Sequence, residues 1–182
     1  MFYRSALIFL LSLTPTLTLA AEEWSPNKNQ LINVSISDQT SQMHKFYEDL
    51  IRPNTVAINF IFTSCTSSCA LSTAIFKQVQ RKINSQKLQL LSITVDPTRD
   101  TPERLLEFSK QFKAQPNWLF LTGEKAIVDR LLKTFEVYSA DKNNHSNIVV
   151  VGNDKTNQWT RLYGLPQVDE IIAALNPLLR AH

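Results

Sequence analysis

The sequence predicts one α/β domain, with a central mixed sheet flanked by helices and a hairpin at the N-terminal edge. Three observations carry this reading. Residues 55–62 (TVAINFIF) and 88–95 (LQLLSITV) are β-branched, aromatic and apolar on both faces, as strands buried in a sheet are. Each is followed by a stretch with apolar residues at helical spacing. Strands alternating with helices imply parallel pairing in the sheet centre, and a closing strand pair adds an antiparallel element.

Each element has its own signal. Residues 31–36 alternate apolar and polar and predict the edge hairpin. In residues 70–83, Leu71, Ile75, Phe76, Val79 and Ile83 recur at helical intervals. Asp96 and Pro97 end the second buried strand. Asp100, Thr101, Pro102 and Glu103 then start a helix, because Asp or Thr can cap it and proline suits its first turn. Leu105, Leu106, Phe108 and Phe112 place that helix on a core. Residues 118–121 form a short strand or turn, and residues 126–135 a helix with Ile127, Leu131 and Phe135 on one face. Residues 147–151 read as a third central strand, residues 158–163 as its hairpin partner, and residues 168–179 as a closing amphipathic helix. A cysteine pair lies where the first central strand meets its helix. Together this is a thioredoxin-like arrangement.

Composition bounds the function. A length of 182 residues suits one domain plus a leader, and 43% hydrophobic against 19% charged residues supplies a buried core. The net charge of +3 is small and scattered, without a basic run, which excludes a nucleic-acid partner. Three glycines, Gly123, Gly152 and Gly164, lie too far apart for a glycine-rich phosphate loop.

Residues 1–20 differ from the rest. Arg4 precedes an apolar run over residues 6–13, and small residues end at Ala20 and Ala21. That is the layout of a cleavable secretory signal peptide, and the apolar run is shorter than a membrane span. The expectation is therefore a signal peptide over 1–20 and a single domain over 21–182, exported to the periplasm or to the outer face of the inner membrane.

Export sharpens the meaning of FIFTSCTSSCAL, residues 60–71, which holds the only two cysteines, Cys65 and Cys69. Their spacing can bring both sulfurs to one spot, as a disulfide, a redox pair or a pair of metal ligands. A disulfide closing so short a loop would add little stability. The helix start favours thiolate, which is both nucleophile and metal ligand. Zinc needs more protein ligands than two cysteines.

Three histidines could join them. His182 is the last residue and takes no role, and His44 reads as an exposed polar residue. His145 stands immediately before an apolar strand, and in this architecture that junction can come near the first strand–helix turn. Two cysteines and a histidine make a soft set that nominates copper, as Cu(I) or Cu(II), before iron or magnesium.

Three motifs then resemble one known family, the Sco (SenC) proteins, over residues 31–179. They are NFIFTSCTSSCAL (residues 59–71), SITVDPTRDTPERLLEF (92–108) and NNHSNIVVVGNDKTNQWTRLYG (143–164). Sco proteins are thioredoxin-fold copper proteins of the cell envelope, linked to assembly of the copper centre of cytochrome oxidase. The resemblance implies copper ligation by Cys65, Cys69 and His145. It places Asp96 and Asp100 in the family's acidic motif near the site; here they are read as a strand-ending turn and a helix cap. The chain departs from the family pattern at Ala70, where proline is usual, and at Asn144, where aspartate often stands. It departs also at Gly152, Asn153, Asp154 and Lys155, where an aspartate–proline–aspartate–glycine turn is usual.

The implied function is a copper metallochaperone. Its partner would be a cytochrome oxidase subunit or another cuproprotein, with other copper chaperones or thiol reductants as further partners. The alternative is a thiol–disulfide oxidoreductase in which Cys65 attacks and Cys69 resolves.

Overall fold

The computed structural model of the chain describes residues 24–65, 68–83, 85–141 and 147–181. The expected leader, residues 1–20, and both His145 and His182 lie outside them. In chain order the elements are helix α1 (Lys28–Leu31), strands β1 (Ser35–Asp38) and β2 (Met43–Lys45), a π-helical turn (Phe46–Ile51), β3 (Thr55–Ile61), α2 (Ser68–Lys82), β4 (Leu88–Thr94), α3 (Pro102–Phe112), β5 (Trp118–Thr122), α4 (Lys125–Thr134), β6 (Ile148–Asn153), β7 (Gln158–Tyr163) and α5 (Val168–Arg180). The strands form one sheet in the order β2-β1-β5-β4-β3-β6-β7.

β3 is the centre of this sheet. It pairs in parallel with β4 from Thr55↔Leu88 to Ile61↔Thr94, and antiparallel with β6 from Thr55↔Asn153 to Asn59↔Val149. All seven of its residues are buried. Successive side chains point to opposite faces. Val56, Ile58 and Phe60 join a core with Phe46, Leu131 and Phe135, under α4 and the π-helical turn. Ala57 and Ile61 join a second core with Phe76, Val79, Leu105 and Leu175, under α2, α3 and α5. The sheet is thus sandwiched between helices, as the two-faced apolar runs require.

The N-terminal edge hairpin is present, displaced from its expected place. Leu31 belongs to α1, and Asn33 turns the chain with φ of 63° before β1 starts at Ser35. β1 then pairs with β2 and with β5. Residues 118–121, read as a strand or turn, lie within β5, paired in parallel with β4. The third central strand, β6, begins at Ile148 and runs antiparallel to β3.

Local chemistry sets the helix ends. Thr101 caps α3 by accepting the Arg104 N–H at 3.4 Å, and Pro102 occupies the first helical position. α3 stops at Lys113, which is left-handed with φ of 57°. A capping box of Gln167 and Glu170 starts α5. Between β6 and β7 the turn is organised by Asn153. Its side chain accepts the N–H groups of Lys155 and Thr156 at 2.9 and 3.4 Å, and its Nδ2 donates to Thr55 Oγ1 at 2.8 Å.

Candidate metal and thiol centre

The topology gathers particular chain ends at one end of the sheet. β3 and β4 run in parallel, so both finish there, and β6, running the other way, starts there. Its first residue, Ile148, pairs with Tyr163, the last residue of β7. Carboxyl ends of parallel strands are the usual place for a site in open α/β sheets. Cys65 and Cys69 lie at this end.

After Ile61 the chain turns, with the Cys65 N–H donating to the Phe62 carbonyl at 3.2 Å. It enters α2 at Ser68, which puts Cys69 in the first helical turn, as its position predicts. The Cys69 N–H donates to Cys65 Sγ at 3.4 Å. A first-turn amide is therefore aimed at the sulfur, and that geometry favours thiolate over thiol. The two cysteines differ in access. Cys69 is 1% exposed and sits in the core beneath α2, with its carbonyl accepting Thr73 Oγ1 at 2.6 Å. Cys65 is part-exposed at the rim of that core.

The turn carrying Cys65 is tied down from below. Asp100 is fully buried and accepts from the Thr63 N–H at 3.0 Å, from Thr63 Oγ1 at 2.5 Å and from Thr94 Oγ1 at 2.6 Å. This corrects the expectation that Asp100 caps α3, a job done by Thr101. The correction has a physical reason: a carboxylate in an apolar core needs several donors, and the two threonines supply them. Asp96 does form the strand-ending turn. Its carbonyl accepts from Arg99 and Asp100, and its side chain accepts from Thr98 Oγ1 at 3.0 Å.

A second polar chain lies under α2. Ser92 Oγ donates to Asn59 Oδ1 at 2.6 Å, Asn59 Nδ2 donates to Ser72 Oγ at 3.1 Å, and Trp118 Nε1 donates to Ser92 Oγ at 2.9 Å. It fixes the start of α2 against β3, β4 and β5. The sequence held one signal for it, a lone asparagine inside an otherwise apolar strand. His44 is not a bare surface residue: it is half-buried, with Nε2 at 2.8 Å from Asp38 Oδ2, and it stands on the edge hairpin away from the cysteines.

Of the three expected metal ligands, the structure therefore brings together Cys65 and Cys69. The third, His145, lies outside the described residues. Among the described residues no group of three or more His, Cys, Asp or Glu is placed to hold a metal ion. The two sulfurs suit a soft ion such as Cu(I), and a third donor has to come from elsewhere.

Comparison with known proteins agrees with this architecture. The SCO1/SenC family model matches residues 35–180. An SCO2-like protein of Rickettsia conorii is 34% identical over 140 residues, covering 74% of this chain and 66% of that protein. Among solved structures, Arabidopsis thaliana ScoI with copper bound superposes with a TM-score of 0.69 at 21% identity, covering 81% of this chain and 96% of that one. BsSco, described as a member of the Sco family of cytochrome c oxidase assembly proteins with a disulfide switch, superposes with a TM-score of 0.69 at 22% identity, covering 81% of this chain and 92% of that one. These likenesses establish the thioredoxin-like fold. The family model spans both core layers, the cysteine turn and the whole of the sheet from β1 to β7, and on that ground the chain belongs to the SCO1/SenC family.

Proposed function

We propose that this chain binds copper through Cys65, Cys69 and His145 and passes it to a cuproprotein of the cell envelope, with a cytochrome oxidase subunit as the leading recipient. The observation that carries this reading is the Cys65–Cys69 pair, held at the carboxyl end of the central strand with one thiol accessible and one buried. Family membership and the copper bound to Arabidopsis ScoI support copper as the metal. The register supports His145 as the third ligand. Asn59 pairs with Val149, so β6 begins beside the last residues of β3. His145 precedes Asn147 by two residues, a reach of about 7 Å.

In this role copper is cargo. Cys65 and Cys69 bind it as thiolates and His145 as neutral imidazole. The exposed side of Cys65 is where a partner's ligands enter, and copper then moves by ligand exchange. Residues 1–20 serve as a leader that exports the domain over 21–182, to the periplasm or to the outer face of the inner membrane. The test is an anaerobic Cu(I) titration of the full chain against a competing chelator, beside His145→Ala. Tight one-to-one binding that the variant loses is expected. Binding indifferent to His145, or weak binding throughout, rules the reading out.

A second reading rests on the difference in burial between the two cysteines. As a reductase of partner dithiols, Cys65 thiolate would attack a target disulfide and form a mixed disulfide, releasing one target thiolate. Cys69 thiolate would then attack Cys65 Sγ, closing a Cys65–Cys69 disulfide and releasing the second target thiolate. The target gains two electrons and the cysteine pair loses two. The disulfide switch described for BsSco favours this activity. His145→Ala separates the two readings, because dithiol exchange does not use the imidazole.

A further inference from the structure

The half of α2 remote from the cysteines carries a second feature. Lys77, Gln80 and Arg81 stand at i, i+3 and i+4, on one face of the helix. With Phe112, Lys113 and Gln115 they line a cleft of about 410 Å³. Its floor is built. Gln80 is 6% exposed, accepts the Gln115 N–H at 2.8 Å and donates Nε2–H to the Lys113 carbonyl at 3.3 Å. The left-handed turn at Lys113 bends the chain back at this point.

Three cations line the cleft, and no acidic residue does. Among the described residues, none of Lys77, Arg81 and Lys113 enters an ion pair, whereas neighbouring Lys82 is held by Asp169 at 2.8 Å. Helix ends do not account for this charge. α2 and α3 both finish here, and each contributes about half a negative charge. Three positive charges exceed that by about two.

We propose that this cleft binds a phosphate-bearing ligand. A planar guanidinium and two ammonium groups suit a dianion, and the Phe112 ring offers an apolar wall for the group that carries it. The volume falls within the usual range of small-ligand pockets, roughly 300–1,000 Å³. Lys77 and Arg81 lie eight and twelve residues beyond Cys69, about 12 and 18 Å along the helix axis, so the cleft is separate from the cysteine centre. A soluble phosphate compound and an anionic phospholipid headgroup offer the same chemistry.

The test uses the full chain and two probes at fixed ionic strength. Inorganic pyrophosphate is titrated while the amide resonances of Gln80, Lys113 and Gln115 are followed. Phosphatidylglycerol vesicles are compared with phosphatidylcholine vesicles by co-sedimentation. The Lys77→Gln/Lys113→Gln double variant is run beside Lys45→Gln/Lys155→Gln, which removes the same charge from exposed sites elsewhere. Saturable binding to either probe that falls at least tenfold in the cleft variant, and less than twofold in the other, supports the site. Saturation by pyrophosphate assigns a soluble ligand, and binding confined to phosphatidylglycerol vesicles assigns the headgroup. Absence of binding to both probes, or equal loss in the two double variants, overturns the proposal.

Discussion

Thr63 donates two hydrogen bonds to Asp100, one from its backbone N–H at 3.0 Å and one from its hydroxyl at 2.5 Å. The pair joins the turn that carries Cys65 to the loop in front of α3, across 37 residues of chain. Replacing Asp100 by asparagine removes the charge and sets an amide NH₂ against donors. The expected cost is about 1.5–3 kcal/mol of stability, the range for a hydrogen bond to a charged group. Urea unfolding measures it. Thr63→Val should lower the affinity for Cu(I) more than a core variant of equal stability cost, because it loosens the turn itself; equal effects would remove any positioning role from the pair.

Cys65 is part-exposed and Cys69 is 1% exposed. Limiting iodoacetamide on the reduced chain should therefore modify Cys65 first, by about tenfold or more in rate, since access and thiolate character govern thiol reactivity. Peptide mapping reads the order. Equal labelling would mean that the start of α2 opens faster than the reagent reacts.

Tyr47 donates its hydroxyl proton to Asp154 Oδ2 at 2.7 Å. That hydrogen bond to a carboxylate, with burial and the nearby negative charge adding to it, pushes the phenol up from 10.0 to about 12. A folded pKa above the unfolded one means stability that is fully present below pH 10 and lost as pH rises toward 12. Tyr47→Phe should flatten this part of the alkaline unfolding curve while shifting the neutral region by one hydrogen bond, about 0.5–1.5 kcal/mol. An unchanged alkaline limb in the variant would place the loss on other groups.

Gly152 lies against the Trp159 ring so closely that a Cβ there would run into Cε3 and Cδ2 of the indole. Gly152→Ala must push the indole aside. Overpacking of this kind costs about 1–3 kcal/mol. A shift in tryptophan emission together with a lower unfolding midpoint is the expected signature.

The fold was legible where burial and period agree. Residues 55–62 and 88–95 are apolar on both faces because both faces of the sheet are covered, and that pattern marks central strands directly. The thiol half of the site was legible for a similar reason: two cysteines four residues apart at a strand–helix junction can hardly avoid meeting. The direction of β6 was harder to read, because an apolar run carries no sign of which way it pairs. The part played by Asp100 was hidden for another reason. Asp-Thr-Pro-Glu satisfies the rules for a helix start with either of its first two residues as the cap. Only the threonines at 63 and 94, far off in sequence, show which of the two the core claims.

The position of β3 has a consequence for how the cysteine centre is born. Thr55 reaches Asn153, 98 residues further along the chain. Pairing at such separation forms slowly, because a long loop must close before the contact gains anything. A newly made chain therefore carries its two thiols before the strand beneath them has neighbours on both sides. Once β3 is enclosed, its amides open only with the whole domain, and the geometry at its end becomes as durable as the fold. The cysteine centre is thus assembled late in folding and lost only when the domain itself unfolds, and a chain that has not finished folding cannot present it.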